Sequence, residues 1–176
     1  MDIALDMDDT IVGLLDAWLC WLNDKYGFSY KRDDVISWKM SDIIPLTDEQ
    51  IFEPLYLKEF WKTVKPLPDA IDSVNKLVKL GHNVKIATAS YYKALPMKLE
   101  ECLFKHFNMT YKDVIVIQDK SWLKCDILVD DNNMNLRYFK GIRVLVDAPY
   151  NKYADYESYD YRISNLKELL EIIPPT

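Results

Sequence analysis

Hydrophobic positions along the chain follow two rhythms. Short apolar runs bounded by polar residues read as buried strands, and apolar residues three and four apart read as helices. The first run, Ile3-Ala4-Leu5, ends in the acidic turn Asp6-Met7-Asp8-Asp9-Thr10 before the chain becomes apolar again at Ile11-Val12. From Gly13 to Tyr26, Leu14, Leu15, Trp18, Leu19 and Leu22 recur at helical spacing, and Gly27 follows as a stop. Between Phe28 and about Lys65 the rhythm is lost, and Tyr30, Trp38, Phe52, Tyr56, Phe60 and Trp61 are scattered among charges. Thr47 with Gln50 three residues later carries a helix-capping pattern, so this stretch reads as a small, mostly helical insertion.

After Lys65-Pro-Leu-Pro68 a regular alternation begins. Helices are expected over 69–80, 96–107, 136–139 (part of a short helix) and 165–173, the last before Pro174-Pro175, and strands over 83–87, 114–117, 127–129 and 144–146. Strands separated by helices imply a parallel sheet covered on both faces. The expected division is a core of residues 1–13 and 66–176, with a cap of residues 14–65 inserted after the first strand.

With 176 residues and 49% hydrophobic content, the chain suffices for one domain with a small insertion. Its 28 acidic against 22 basic residues give a net charge of −6, which argues against binding a nucleic acid polymer. One phosphate on a small substrate remains compatible, since a local cluster or a metal suffices for it. Cys20, Cys102 and Cys125 are odd in number and lack C-x-x-C spacing, so a reduced, cytoplasmic setting is the default. The apolar stretch from Ile11 to Leu22 is broken by Asp16, so neither a signal peptide nor a membrane span is expected. Monomer and homodimer remain equally open.

The ends of the expected strands carry the chemistry. They read Asp6-Met-Asp-Asp-Thr10, Thr88-Ala-Ser90, Gln118-Asp-Lys120 and Asp130-Asp131. Gathered at one edge of a parallel sheet, where ligands bind in such folds, they supply the parts for phosphoryl transfer. One carboxylate can attack phosphorus, another can move the proton, and a hydroxyl with a lysine can hold phosphate oxygens. Several carboxylates together suit Mg²⁺, a hard cation that takes oxygen ligands. Asp6 and Asp8, two residues apart, share a site only if the chain curls directly after Asp6.

The set D-x-D-x-T, strand-end Thr, Lys and then D-D resembles the four motifs of the haloacid dehalogenase superfamily of phosphohydrolases, in matching order. Within it, Asp6-Met-Asp8, Lys65-Pro-Leu-Pro68, Thr88, Asp119-Lys120-Ser121, Asp126 to Asp131 and Asp147-Ala-Pro-Tyr-Asn151 resemble the 5′(3′)-deoxyribonucleotidase family. The resemblance implies a Rossmann-like, three-layer α/β fold with a parallel sheet and a small helical cap. It further implies Mg²⁺-dependent hydrolysis of phosphate from nucleoside monophosphates. Asp6 would be the nucleophile and Asp8 the general acid and then base, with Thr88 and Lys120 binding the transferring phosphoryl group. Mg²⁺ would be held by Asp6, the main-chain carbonyl of Asp8 and Asp131, with Asp130 as the second choice. Thr10, Leu14, Trp38, Met40, Trp61 and Ser90 are the expected substrate contacts, with Lys39 and Phe60 as further candidates in the cap.

The sequence departs from the family pattern at two places. Position 9 is Asp where many relatives have Gly, which sets an extra negative charge near the phosphate. Thr88 is followed by Ala89 and Ser90 where relatives often have Ser and Pro, and Ser90 reads equally well as a substituted phosphate contact or as a helix cap. Two other functions also fit the residues: a phosphatase for another small ester, such as a sugar phosphate, and a non-catalytic phosphate-binding regulatory protein.

Overall fold

In the computed structural model, which describes residues 1–173, β1 (Asp2–Leu5) lies inside a six-stranded sheet. On one side it pairs with β2 (Asn83–Thr88), followed by β3 (Val114–Val116). On the other side come β4 (Ile127–Asp130), β5 (Ile142–Val146) and β6 (Tyr161–Ile163), and every pair is parallel. The strand order therefore reverses between β1 and β4. At such a reversal the connections leave in opposite directions and open a crevice at the strands' C-terminal ends.

Residues alternate across the sheet and build two cores. On one face Ile3 and Leu5, Ile127 and Val129, and Val144 and Val146 join Val74 and Leu77 of α4 (Ala70–Lys79) and Leu166 and Leu169 of α8 (Leu166–Ile172). On the other face Ala4, Ala87, Leu128 and Leu145 meet Leu136 of α7 (Asn133–Leu136) and Phe139. The three-layer parallel arrangement expected from the alternation is thus the observed one.

The insertion has a third core of its own. Leu15, Leu19 and Leu22 of α1 (Leu14–Tyr26) are buried with Val35, Met40, Ile44 and Ile51. At roughly 2 kcal/mol for each buried leucine, this contact supplies most of the stability of a helix too short to persist alone. Gly27, at φ 72°, closes α1 through its N–H to the Asn23 carbonyl, a left-handed turn that glycine adopts without strain. Thr47 caps α2 (Asp48–Phe52) by accepting from Gln50 N at 3.3 Å, as its spacing implied. Leu55 and, from α3 (Lys58–Trp61), Phe60 and Trp61 instead pack into the main core.

Several elements differ from the sequence-based expectations. The helix expected over 96–107 runs as α5 (Leu95–Lys98), a π turn (Leu99–Leu103) and α6 (Phe104–His106). α7 lies at Asn133–Leu136, ahead of the expected 136–139, because Asn132 caps it by accepting from Met134 N at 3.0 Å. β6 is new; only its Ile163 is buried, so no apolar run announces it. The expected stop at Pro174-Pro175 lies outside the described residues. Among the described residues, no helix is long and apolar enough to cross a membrane.

Candidate active site

Directly after β1 the chain curls: the amides of Ile11 and Val12 both bond the Met7 carbonyl, at 3.0 and 3.1 Å, and Asp9 N bonds Val12 O at 2.7 Å. The curl needs a left-handed residue, and Asp9 takes it at φ 51°. Glycine enters this region most easily and Asp or Asn next most easily, so Asp is tolerated at this position. Asp9 is buried. Its carboxylate accepts from Leu15 N at 3.1 Å, at the start of α1, and from Arg32 Nη1 at 2.9 Å. It ties the curl to the start of α1 and to Arg32. Burial nevertheless pushes its carboxyl up to about 7, although Arg32 pulls the other way.

The curl leaves Asp6 and Asp8 on different partners. The buried Lys120 ammonium donates to Asp6 and, at 2.5 Å, to Asp130 Oδ2. Asp119 sets up this approach by accepting from Ser121 N at 3.0 Å, which caps the single turn that carries Lys120 inward. Burial works against the Lys120 charge, but Asp6 and Asp130 outweigh it and hold its pKa above the usual lysine value. A solvated lysine, the ordinary fate of that residue type, is therefore excluded here.

Asp130 and Asp131 end β4 at the strand-order reversal. Asp130 Oδ1 accepts from Asn132 N at 2.9 Å, and both its oxygens accept from Asn135 Nδ2, at 3.1 and 3.0 Å. Burial, partly offset by Lys120, pushes its carboxyl up to about 6. Asp131 accepts from the Tyr150 hydroxyl. Asn151 Nδ2 ties the Asp131 and Val146 carbonyls, each at 2.7 Å, and so fixes the ends of β4 and β5 together. Burial and then the carboxylates of Asp130, Asp6 and Asp9 hold the Asp131 carboxyl well above its usual range.

Asp6, Asp130 and Asp131 each offer an oxygen, and these oxygens lie within 4.8 Å of one another. Three buried carboxylates together, with the proton affinity of Asp130 and Asp131 raised, make the environment that a hard divalent cation fits. The Asp8 carboxylate is bonded to Lys98 Nζ at 2.5 Å, so any contribution of Asp8 to a cation rests on its main-chain carbonyl, the atom that the resemblance names, and Asp130, the second choice, lies in the set beside Asp6 and Asp131.

Lys98 was not legible as a site residue. It is 1% exposed, and it also donates to Thr88 Oγ1 at 2.7 Å and to the Ala89 carbonyl at 3.2 Å. The available signal was its place beside Leu95, Leu99 and Cys102, a lysine on the apolar face of a helix. Thr88 is fully buried at the end of β2 and caps no helix.

Above these groups opens a cavity of about 590 Å³. Leu14, Trp38, Lys39, Met40, Trp61 and Ser90 line it, together with Phe52 and Tyr91. Trp38 is 58% exposed and meets Tyr150 edge to face at 5.0 Å, while the indole N–H of Trp61 is used by the Leu55 carbonyl at 2.8 Å. Three candidates lie elsewhere. Thr10 is buried beneath the curl, Phe60 is buried against Trp61 and Thr88 is buried against Lys98, and none of the three lines the cavity. Ser90 caps nothing, because the next helix begins at Leu95.

The model of the family described as "5' nucleotidase, deoxy (Pyrimidine), cytosolic type C protein" matches residues 1–174. A 5'(3')-deoxyribonucleotidase of Clostridium acetobutylicum is 28% identical over 151 residues, covering 85% of this chain and 83% of the relative. One of Bacillus subtilis is 26% identical over 169 residues, covering 95% of each chain. Among solved structures, one described as a haloacid dehalogenase-like hydrolase from Burkholderia xenovorans superposes with a TM-score of 0.64 at 12% identity, covering 97% of this chain and 95% of the other. That last likeness speaks for the fold alone.

Proposed function

The chain belongs to the family of cytosolic type C deoxy (pyrimidine) 5′ nucleotidases, and from that premise we propose that it hydrolyses phosphate from (deoxy)ribonucleoside monophosphates through an aspartyl-phosphate on Asp6, with Mg²⁺ as its metal. The observation that carries this reading is the placement of Asp6. Its carboxylate meets the Lys120 ammonium and also belongs to the set of three carboxylates able to hold a cation.

Roles follow from position. Asp6, at the sheet edge and facing the cavity, attacks phosphorus. Lys120 offsets the charge of Asp6 and of the incoming phosphate. Asp8 lines the cavity with its Oδ2 held by Lys98, and its Oδ1 is buried without a partner among the described residues. It gives its proton to the departing nucleoside oxygen and then takes one from the hydrolytic water. Burial raises the Asp8 pKa, against the opposing pull of Lys98, which favours the protonated form that the first step requires. Thr88 is the phosphoryl contact of the motif, and because its hydroxyl is buried against Lys98 and does not line the cavity, that contact requires a shift at the end of β2 on substrate binding. Asp6, Asp130 and Asp131 would hold Mg²⁺, which when bound lets an anionic nucleophile approach an anionic phosphate.

The cap, residues 14–65, contributes Leu14, Trp38, Met40 and Trp61 to the cavity wall, and flat rings suit a nucleobase. The volume also suits a nucleotide, since small-molecule sites span roughly 300–1,000 Å³. The free thiols of Cys20, Cys102 and Cys125 agree with the reducing, cytoplasmic setting we assign. A substrate panel tests the reading: with Mg²⁺, dUMP and dTMP should be turned over faster than glucose 6-phosphate. Equal rates on nucleotides and sugar phosphates would remove the nucleobase from the account and favour a general small-ester phosphatase.

A further inference from the structure

The site holds two buried ammonium groups, and each takes one of the two central aspartates: Lys120 bonds Asp6 and Lys98 bonds Asp8. Lys98 Nζ meets three acceptors, Asp8 Oδ2 at 2.5 Å, Thr88 Oγ1 at 2.7 Å and the Ala89 carbonyl at 3.2 Å. Three acceptors match the three protons of an ammonium, so the group is satisfied and fixed. It also lies 5.9 Å from the centre of the Trp61 ring.

The backbone is shaped to deliver this lysine. α5 ends at Lys98, and the helix continues as a π turn over Leu99–Leu103. One extra residue per turn shifts which side chains face the sheet, and such insertions recur at functional positions. Leu99, Cys102 and Leu103 bury this face in the main core. An ammonium on an apolar face is costly unless its partners hold it. Here they are the expected acid/base group and the end of β2.

We propose that Lys98 is a positioning residue for leaving-group protonation: by anchoring Asp8 Oδ2 to the end of β2, it fixes the carboxyl group, which lines the cavity, for transfer of its proton to the ester oxygen. The proposal rests on the reading of Asp8 as acid and base given above. In the first step an Asp6 oxygen bonds to phosphorus as the bond from phosphorus to the nucleoside oxygen breaks, and the proton on Asp8 passes to that oxygen. In the second, a water oxygen bonds to phosphorus while its proton returns to Asp8, and the bond between phosphorus and Asp6 breaks to release inorganic phosphate. A nucleoside oxygen leaves poorly without the proton. A nitrophenolate leaves without it.

The test compares Lys98→Met with the unaltered protein in rapid-quench single turnovers with Mg²⁺, using dUMP and p-nitrophenyl phosphate. Phosphoryl transfer from dUMP should slow by about 10²- to 10³-fold and that from the aryl ester by under about tenfold, the range general acid catalysis spans. Asp8→Asn should show the same contrast, and the double variant should lose no more than Asp8→Asn alone. Equal losses on both esters, or a double loss equal to the product of the single ones, would overturn the role of Lys98 and leave that of Asp8 standing. An Asp8→Asn variant that keeps nucleotide hydrolysis would overturn the reading of Asp8 itself. Thermal unfolding checks that the Met variant folds. If it does not, Lys98→Arg carries the same comparison, because it keeps the charge but replaces a point donor by a planar fork. Its loss should be smaller and confined to dUMP.

Discussion

Arg32 Nη1 lies 2.9 Å from Asp9 Oδ1, joining a turn in the cap to the loop that carries Asp6 and Asp8. Asp9 is nearly buried and Arg32 about a quarter exposed, so the pair is shielded from water only in part. Removing the cation leaves a carboxylate with Leu15 N as its remaining strong partner. Discounted for that exposure, Arg32→Ala should cost about 1–2 kcal/mol at pH 8. The Asp9 carboxyl is pushed up to about 7 with Arg32 present and would rise further without it. At pH 5 Asp9 is then protonated in both proteins, and the cost should shrink toward zero. Denaturant unfolding at the two pH values measures this; a loss equal at both would sink the role given to the pair.

The cluster of acids makes a second prediction about pH. In the folded protein burial pushes the Asp9 and Asp130 carboxyls up to about 7 and about 6, against an ordinary 3.8, and also raises Asp131. Between about pH 4 and 7 the folded state therefore binds more protons than the unfolded chain, so these groups' contribution to stability falls as pH rises. Mg²⁺ would bind the deprotonated carboxylates of the set and should then reverse the loss. Thermal unfolding with Mg²⁺ and with EDTA should show a larger stabilisation by the metal at pH 7.5 than at pH 5. An equal effect at both values would mean that the raised acids are not the metal's ligands.

Gly141 precedes β5 where two loops cross closely. A Cβ there would meet Phe139 Cε1 at 2.7 Å and the Cys125 carbonyl at 2.9 Å, and it would also press on the Asp126 carbonyl. Backbone carbonyls cannot swing aside as the end of a long side chain can. Gly141→Ala should destabilise by about 2 kcal/mol, within the range for overpacked sites. Chemical denaturation checks this, with turnover per folded molecule expected to stay unchanged because the position lies away from the cavity.

Trp38 projects from the cap with its ring edge to face on Tyr150, and Tyr150 in turn bonds Asp131. If the ring stacks on the base, Trp38→Ala should raise KM for dUMP by about tenfold, the worth of one aromatic contact, and leave inhibition by inorganic phosphate unchanged. Weaker phosphate inhibition in the variant would instead assign Trp38 to the geometry of Asp131 through Tyr150.

What could be read in the chain, and what could not, divides along a physical line. Asp6, Thr88, Lys120 and Asp131 stood out because each follows a short apolar run, and the ends of parallel strands converge. Lys98 did not, since its place among Leu95, Leu99 and Cys102 marks only an apolar helix face, and its partners Asp8 and Thr88 come from other elements. The partner of Asp9 lies 23 residues away in the short turn Arg32–Asp34, a contact made by tertiary packing and absent from any local pattern. Thr10 looked like a ligand from its place in the motif, but the curl that presents Asp6 and Asp8 turns position 10 inward. β6 escaped because a three-residue edge strand with one buried side chain carries almost no alternation.

The central claim is that Asp6 carries the phosphoryl group, and trapping the intermediate tests it most directly. With dUMP and Mg²⁺ in turnover, the protein is quenched with borohydride, which reduces an acyl phosphate to an alcohol, and the peptide spanning residues 1–25 is mass-analysed. The account expects homoserine at position 6 and unmodified aspartate at positions 8 and 9. Reduction at another carboxylate, or none while phosphate is being released, would contradict it.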